Sequence, residues 1–440
     1  MSRLWEKGTS SDPLAIEFAA GRDPELDPLL VPYDCVASAA HAAELQRIGV
    51  LKADEAAALR RELGKIRQRA LDGKFRVPPE LEDGHTAIES ALTKALGALG
   101  GKIHAGRSRN DQVSAAIRLF LIDALSTLEW STLTLATTML GRAQKMRSWI
   151  MPGFTHLRRA MPSTAGMWFA GFAERLIDDC EGLRNAQREA DHSPMGSAAG
   201  YGSPLPLSRP RMARQAGFTE VSVVPTAVQL SRGRAELSAL AGAHGVSLTL
   251  SRFGADVVLF TSEEFGLLRL PVELTTGSSI MPQKRNPDIA ECLRPVAAML
   301  GARYAEVAGV ISHLPSGYQR DMAFTKAPMI DGLLRIDQAL SAALLIAQGI
   351  QVDREACAAA VTPDVWQAHR ATELAARGVP FREAYKQVAQ QGADEDYGRK
   401  IEEPQTAEIK ALRERVAALR RGWRRLRMRI ERTTNDAFEV

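Results

Sequence analysis

Residues 110–140 read NDQVSAAIRLFLIDALSTLEWSTLTLATTML, with neither Gly nor Pro to interrupt them. Apolar side chains recur at Ile117, Leu121, Leu125, Leu128, Leu135 and Met139, a spacing that lines one face of a helix. Globular helices average about 11–12 residues, so this one is long. The signal returns at Leu237, Leu240, Ala243, Val246, Leu250, Phe253, Val257 and Phe260. It returns again in a helix from Pro287 through Leu293, Val296, Leu300, Tyr304, Val307 and Ile311. Alternation with period two, the mark of a half-buried strand, is scarce. Several long amphipathic helices predict an all-α fold built as an elongated bundle, with faces that bury against identical chains.

Texture divides the chain further. Residues 1–108 are broken by Gly and Pro into shorter helical patterns, 109–355 carry the long helices, and 356–440 form a C-terminal helical region. In that last region Thr362 caps a helix, Pro363 starts it, and Gly378 with Pro380 ends it. With 440 residues, 45% hydrophobic and 25% charged, the composition is that of an ordinary globular protein, too long for one simple core. A net charge of +4 and an aromatic content of 6% argue against nucleic acid as a partner. Cys35, Cys180, Cys292 and Cys357 form no Cys-x-x-Cys pair and read as reduced thiols of a cytoplasmic protein without a zinc site. No segment reads as a signal peptide or a membrane span. The basic tail from Lys410 to Arg432 also carries Ile409, Leu412, Val416, Leu419, Trp423, Leu426 and Ile430 at alternating spacings of three and four. That is a core- or partner-facing seam with a solvated basic face.

Four polar stretches stand beside the long helices. GSSIMPQKRNP (277–287) holds two prolines and so forms neither a helix interior nor a central strand. It reads as an ordered loop entered through Gly277, with Asn286 as N-cap, Pro287 at the first helical position and Asp288 in the first turn. Lys284, Arg285 and that helix terminus suit a small anion. GRSRNDQ (106–112) puts Ser108, Arg109, Asn110 and Asp111 at the start of the first long helix. Capping needs one of them, and the paired arginines call for a carboxylate. MPGFTHLRRAMP (151–162) holds Thr155 and His156 between prolines, and EDGHTAIE (82–89) holds Asp83, His85 and Thr86.

Together these stretches resemble the argininosuccinate lyases of the aspartase/fumarase superfamily. GSSIMPQKRNP fits the superfamily signature of Gly-Ser-Ser, Met-Pro, Lys and Asn. GRSRNDQV, MPGFTHLRRA, the His-Thr of EDGHTAIE and GVPFREAY are similar to other segments of that family. The likeness runs from about Leu4 to Phe381 and is weak over the basic tail. It implies a three-region all-helical fold, a homotetramer with active sites shared between subunits, a small-molecule substrate, and no metal or organic cofactor. The implied reaction is anti β-elimination of fumarate from argininosuccinate. By this likeness Ser278 is the base, Lys284 and Asn286 hold the carboxylate on which charge develops, and His156 with Glu291 serves the leaving nitrogen. Ser108, Arg109, Asn110, Thr155, Thr86, Asp27, Tyr318 and Lys326 bind substrate. The sequence departs from the family pattern at Asp23, at Gly233-Arg234, at Ala323 and Thr325, and in the opening LWEKG (4–8). Those departures gather on the amine-leaving side and raise an alternative, another N-substituted aspartate as substrate.

Overall fold

The computed structural model describes residues 12–392 and 406–439, so the opening LWEKG lies outside the described residues. Its N-terminal layer contains α1 (Val31–Arg47), α2 (Ala53–Leu71) and α3 (Gly84–Leu96). Cys35, Leu45, Leu59, Leu63, Ile66 and Leu92 close a separate small core there. Then comes α4 (Arg109–Lys145), 37 residues long. The capping box at its start pairs Ser108 with Asp111, and all six apolar positions of its expected stripe are buried.

After α4 the chain turns through a hairpin, β1 (Ile150–Thr155) and β2 (Arg158–Thr164), and runs back as α5 (Ala165–Ala190). The bundle continues with α6 (Arg234–Phe260), α7 (Asp288–Glu291), α8 (Leu293–Ile311) and α9 (Lys326–Gly349). Within it α4 packs on α5, α6 on α5 and α8, and α9 on α4, α6 and α8. The paired strands among the described residues are all two-stranded and peripheral. Beyond the bundle lie α10 (Gln367–Ala376), α11 (Phe381–Gln391) and α12 (Thr406–Phe438). Thr362 is the cap of a short 3-10 turn at Pro363–Trp366 that leads into α10.

Helix length fixes two distant ends. At one, Arg232 just ahead of α6 donates to the Asn110 carbonyl at 3.3 Å and lies over the Tyr318 ring at 5.5 Å. At the other, the Phe260 ring that ends α6 sits 5.4 Å from Phe154 in β1. At 1.5 Å per residue, the 27 residues of α6 hold these ends about 40 Å apart.

Three expectations need correction. The helix foreseen from Pro287 is interrupted: Asp288–Glu291 makes one turn, and the long helix starts at Leu293. Pro295 has no N–H to give the Glu291 carbonyl, which removes the bond that would carry the helix through. Asn286 is not the cap, because its backbone pairs with Thr276 instead. Finally, α4 is long and apolar enough to cross a membrane, but it is a central helix of this bundle with much of its surface buried. The basic tail behaves as read: Ile409, Leu412, Val416 and Leu419 are buried, and Trp423 stacks 4.4 Å from Trp130.

Candidate active site

The loop after α6 is closed at its base by backbone bonds in both directions between Thr276 and Asn286, 3.1 and 2.8 Å long. Thr276 also donates its hydroxyl to Asp288. This staple holds Gly277 to Arg285 as one compact loop. Inside it the Ser278 hydroxyl oxygen accepts the N–H groups of Ile280 and Met281, at 3.4 and 3.2 Å. Donors aimed at that oxygen favour a negative charge on it. Lys284 and Arg285 are exposed, and neither has a carboxylate partner among the described residues. Glu291 is half-exposed one turn further on and meets Arg294 at 3.5 Å.

His156 sits at the tip of the β1–β2 hairpin. His156 and Leu157 both adopt left-handed backbone, with φ of 53° and 59°. Such a turn normally takes Asn-Gly, because a Cβ is strained there. The turn exposes the imidazole beside a groove of about 1010 Å³ that runs between α5 and α6. Thr155 precedes it in β1 and is also exposed. No hydrogen bond or ion pair joins His156 to Ser278, Lys284 or Glu291 within the described chain.

At the opposite end of the bundle a second set assembles. Asp83 caps α3, accepting from the Thr86 N–H and hydroxyl, both at 2.8 Å. Arg109 then donates to the Thr86 hydroxyl at 2.8 Å and meets Asp83 at 3.4 Å. Burial works against the Asp83 charge, but His85 and Arg109 outweigh it and hold the carboxyl below its usual range. Ser108 serves as the N-cap, its oxygen accepting the Asn110 N–H at 3.2 Å. The Asn110 amide itself has no hydrogen-bond partner among the described residues. Tyr318 closes this end under Arg232.

Lys326 and Asp27 meet here, but deep inside. The Lys326 ammonium is 2.7 Å from both Asp23 and Asp27, and the second Asp27 oxygen accepts the Gly84 N–H at 2.8 Å. Burial pushes the Asp23 carboxyl up to about 6 against the pull of Lys326. These groups therefore tie α9 to the start of α3, and so fix where Thr86 stands.

The sequence reading named His85 but not the buried partners it meets. His85 is bonded to Asp34, which also accepts from Gln112 at 3.1 Å and from Ser38 at 2.9 Å, while Arg107 reaches Ser38 at 2.9 Å. His85 and Asp34 are almost fully buried. Burial opposes both charges, yet each partner overcomes it: Asp34 is held below its ordinary value and His85 above. The signal was an ionisable residue in the Ala-rich apolar run of α1, where an unpaired charge is costly.

A family model described as lyase matches residues 3–300. The argininosuccinate lyase of Sorangium cellulosum (strain So ce56) is 44% identical over 88% of this chain and 90% of its own length. That of Stenotrophomonas maltophilia (strain K279a) is 44% identical over 89% of this chain and 90% of its own length. Among solved structures, the EDDS lyase in complex with formate superposes with a TM-score of 0.80 at 20% identity, covering 98% of this chain and 95% of that one. The fumarate lyase:delta crystallin from Brucella melitensis bound to cobalt gives 0.67 at 19% identity, with 90% of each chain covered. At such identities the structures speak for the fold alone.

Proposed function

The chain belongs to the argininosuccinate lyases, and on that premise we propose how its own residues carry out the release of fumarate from argininosuccinate that leaves arginine. The reaction breaks a carbon–nitrogen bond after a proton is taken from the carbon next to a carboxylate. That proton is weakly acidic, so a placed base and stabilisation of the resulting aci-carboxylate are both needed. Ser278 is the base, its alkoxide favoured by the Ile280 and Met281 N–H groups and by the unpaired Lys284 and Arg285. Lys284 and Asn286 hold the carboxylate that accumulates charge. As the aci-carboxylate collapses to fumarate, the electron pair leaves with the nitrogen, and His156, oriented by Glu291 of another copy, supplies its proton. Arg109, Asn110, Ser108, Thr86 and Thr155 hold the substrate's carboxylates with Tyr318, while Asp27 and Lys326 support that end.

The observation that carries this reading is the stapled loop, which offers a serine oxygen two backbone donors beside two cations without carboxylate partners. The two residue sets lie about 40 Å apart along one chain. A homotetramer, in which the end of one copy meets the opposite ends of others, brings them together. The long helices of residues 109–355 would form its core, flanked by 1–108 and 356–440, in the cytoplasm. The relatives at 44% identity favour argininosuccinate over another N-substituted aspartate, despite Asp23, Gly233 and Ala323. Purified protein supplied with argininosuccinate should produce fumarate, followed by ultraviolet absorbance, at least a hundredfold faster than with N-alkyl aspartates. Equal rates on both would remove the substrate assignment and leave the elimination.

A further inference from the structure

Helix α12 lies beyond the span matched by the family model, and the elimination makes no use of it. It has ten basic and four acidic residues, +6 in a chain whose net charge is +4, so the remainder of the chain is net acidic. Most of its inward arginines are matched. Arg415 meets Asp178 at 2.5 Å, Arg429 meets Asp191 at 2.7 Å, and Arg427 is bonded to Asp123. From α5, Arg184 reaches Glu129 at 2.7 Å and the Leu419 carbonyl at 2.6 Å. Gly422 leaves room for that guanidinium, since a Cβ there would lie 2.8 Å from its terminal nitrogen.

Beside Gly422 and Trp423 a groove of about 350 Å³ runs between α4, α5 and α12. Its two acids are already engaged, Glu129 by Arg184 and by Gln187 at 3.2 Å, Asp191 by Arg429 and by Thr219 at 2.8 Å. Its remaining cations are not. Arg188 donates to the neutral amide oxygen of Asn185, and Arg425 has no partner among the described residues. The Arg429 Nε is buried without an acceptor. Two uncompensated guanidiniums and a buried N–H lacking its bond, in a groove of ligand size, form a site short of one anion.

We propose that this groove binds a small multivalent oxyanion, held by Arg188, Arg425 and the Arg429 Nε, which fastens α12 to α5. The planar fork of arginine pairs in two-point fashion with carboxylates and phosphates alike. Both chemistries are therefore tested. The native full-length protein and the Arg188→Gln, Arg425→Gln double variant are titrated calorimetrically in parallel with pyrophosphate, citrate and, as a control at equal ionic strength, sodium chloride, so that anion binding at the catalytic sites, which both proteins share, cancels. One saturable site per chain more than in the double variant is expected for pyrophosphate or citrate and none for chloride, the tighter of the two naming the ligand class. Arg188→Gln with Arg425→Gln should weaken that binding at least tenfold and leave fumarate release unchanged. Absence of saturable binding to the native protein overturns the proposal without recourse to any variant. So does equal binding by the double variant.

Discussion

Ser278 and the His85–Asp34 pair show two uses of a polar group. Ser278 sits in an exposed loop and contributes little to packing, so Ser278→Ala should leave thermal melting within the small range of surface substitutions, about 0.5 kcal/mol. Turnover should fall about 10²–10⁴-fold, as loss of a placed base does. Near-normal turnover would move the role elsewhere. Asp34 is the reverse case: it is almost wholly buried, and its removal takes from buried His85 the carboxylate that answers most of its charge, with Asp83 and Asp27 left as weaker neighbours. Asp34→Asn should cost about 3–5 kcal/mol in urea denaturation at pH 5.5. The pH dependence follows from the two shifts. His85 is raised from 6.5, so its contribution is whole below 6.5 and fades as pH climbs through the higher folded value. Asp34 is lowered from 3.8, so its contribution is whole above 3.8 and fades as pH drops through the lower one. The gap between native protein and variant should therefore be widest between those limits and narrower at pH 9. A gap that grows towards pH 9 would contradict the pairing.

At the scale of elements, the turn bearing Glu291 is placed by contact rather than by its own helix. Gly254 of α6 faces it, and a Cβ there would come within 2.6 Å of the Ala290 carbonyl and 2.9 Å of the Leu293 Cβ. Both obstacles are attached to backbone or to a fully packed residue, so neither can swing aside. Gly254→Ala should destabilise by about 1–3 kcal/mol, read from thermal melting, and should lower kcat by pushing α7 outward. Unchanged melting and rate would show that α7 is free to shift. Gly233 meets a similar need with left-handed backbone at φ 77° against Ile311, a physical reason for glycine at one of the positions where the family pattern is broken. The His156–Leu157 turn carries left-handed strain without glycine, and strain of that kind persists where the surrounding structure and a function hold it.

For the whole molecule the decisive quantity is length. Helices of this size keep Arg109 and Asn110 far from His156 and Ser278, so the proposed site, which draws on all four, requires more than one copy. Inactive Asn110→Ala and Ser278→Ala proteins, whose defects lie at opposite ends of the bundle, unfolded together and refolded as a mixture, should regain part of the activity, while each refolded by itself stays inactive. If native mass measurement finds mixed oligomers yet no activity returns, the shared-site arrangement fails, although the fold reading survives.

Much of this was legible in the residues themselves. Periodicities of three and four settled the helical class, and the stripes from Ile117 to Met139 and from Leu240 to Phe260 are buried as their spacing requires. The two prolines of GSSIMPQKRNP excluded helix and strand, and a loop is found there. Local steric and hydrogen-bond rules act over a few residues, so a sequence can display them. The break at Cys292, the pairing of Asn286 with Thr276 and the enclosure of Lys326 between Asp23 and Asp27 could not be read that way. Lys326 and Asp27 stand 299 residues apart along the chain, and His85 and Asp34 stand 51 apart. Whether such charges meet each other, a substrate or water depends on which helices pack together, and packing is decided by the summed burial of whole faces rather than by any local pattern.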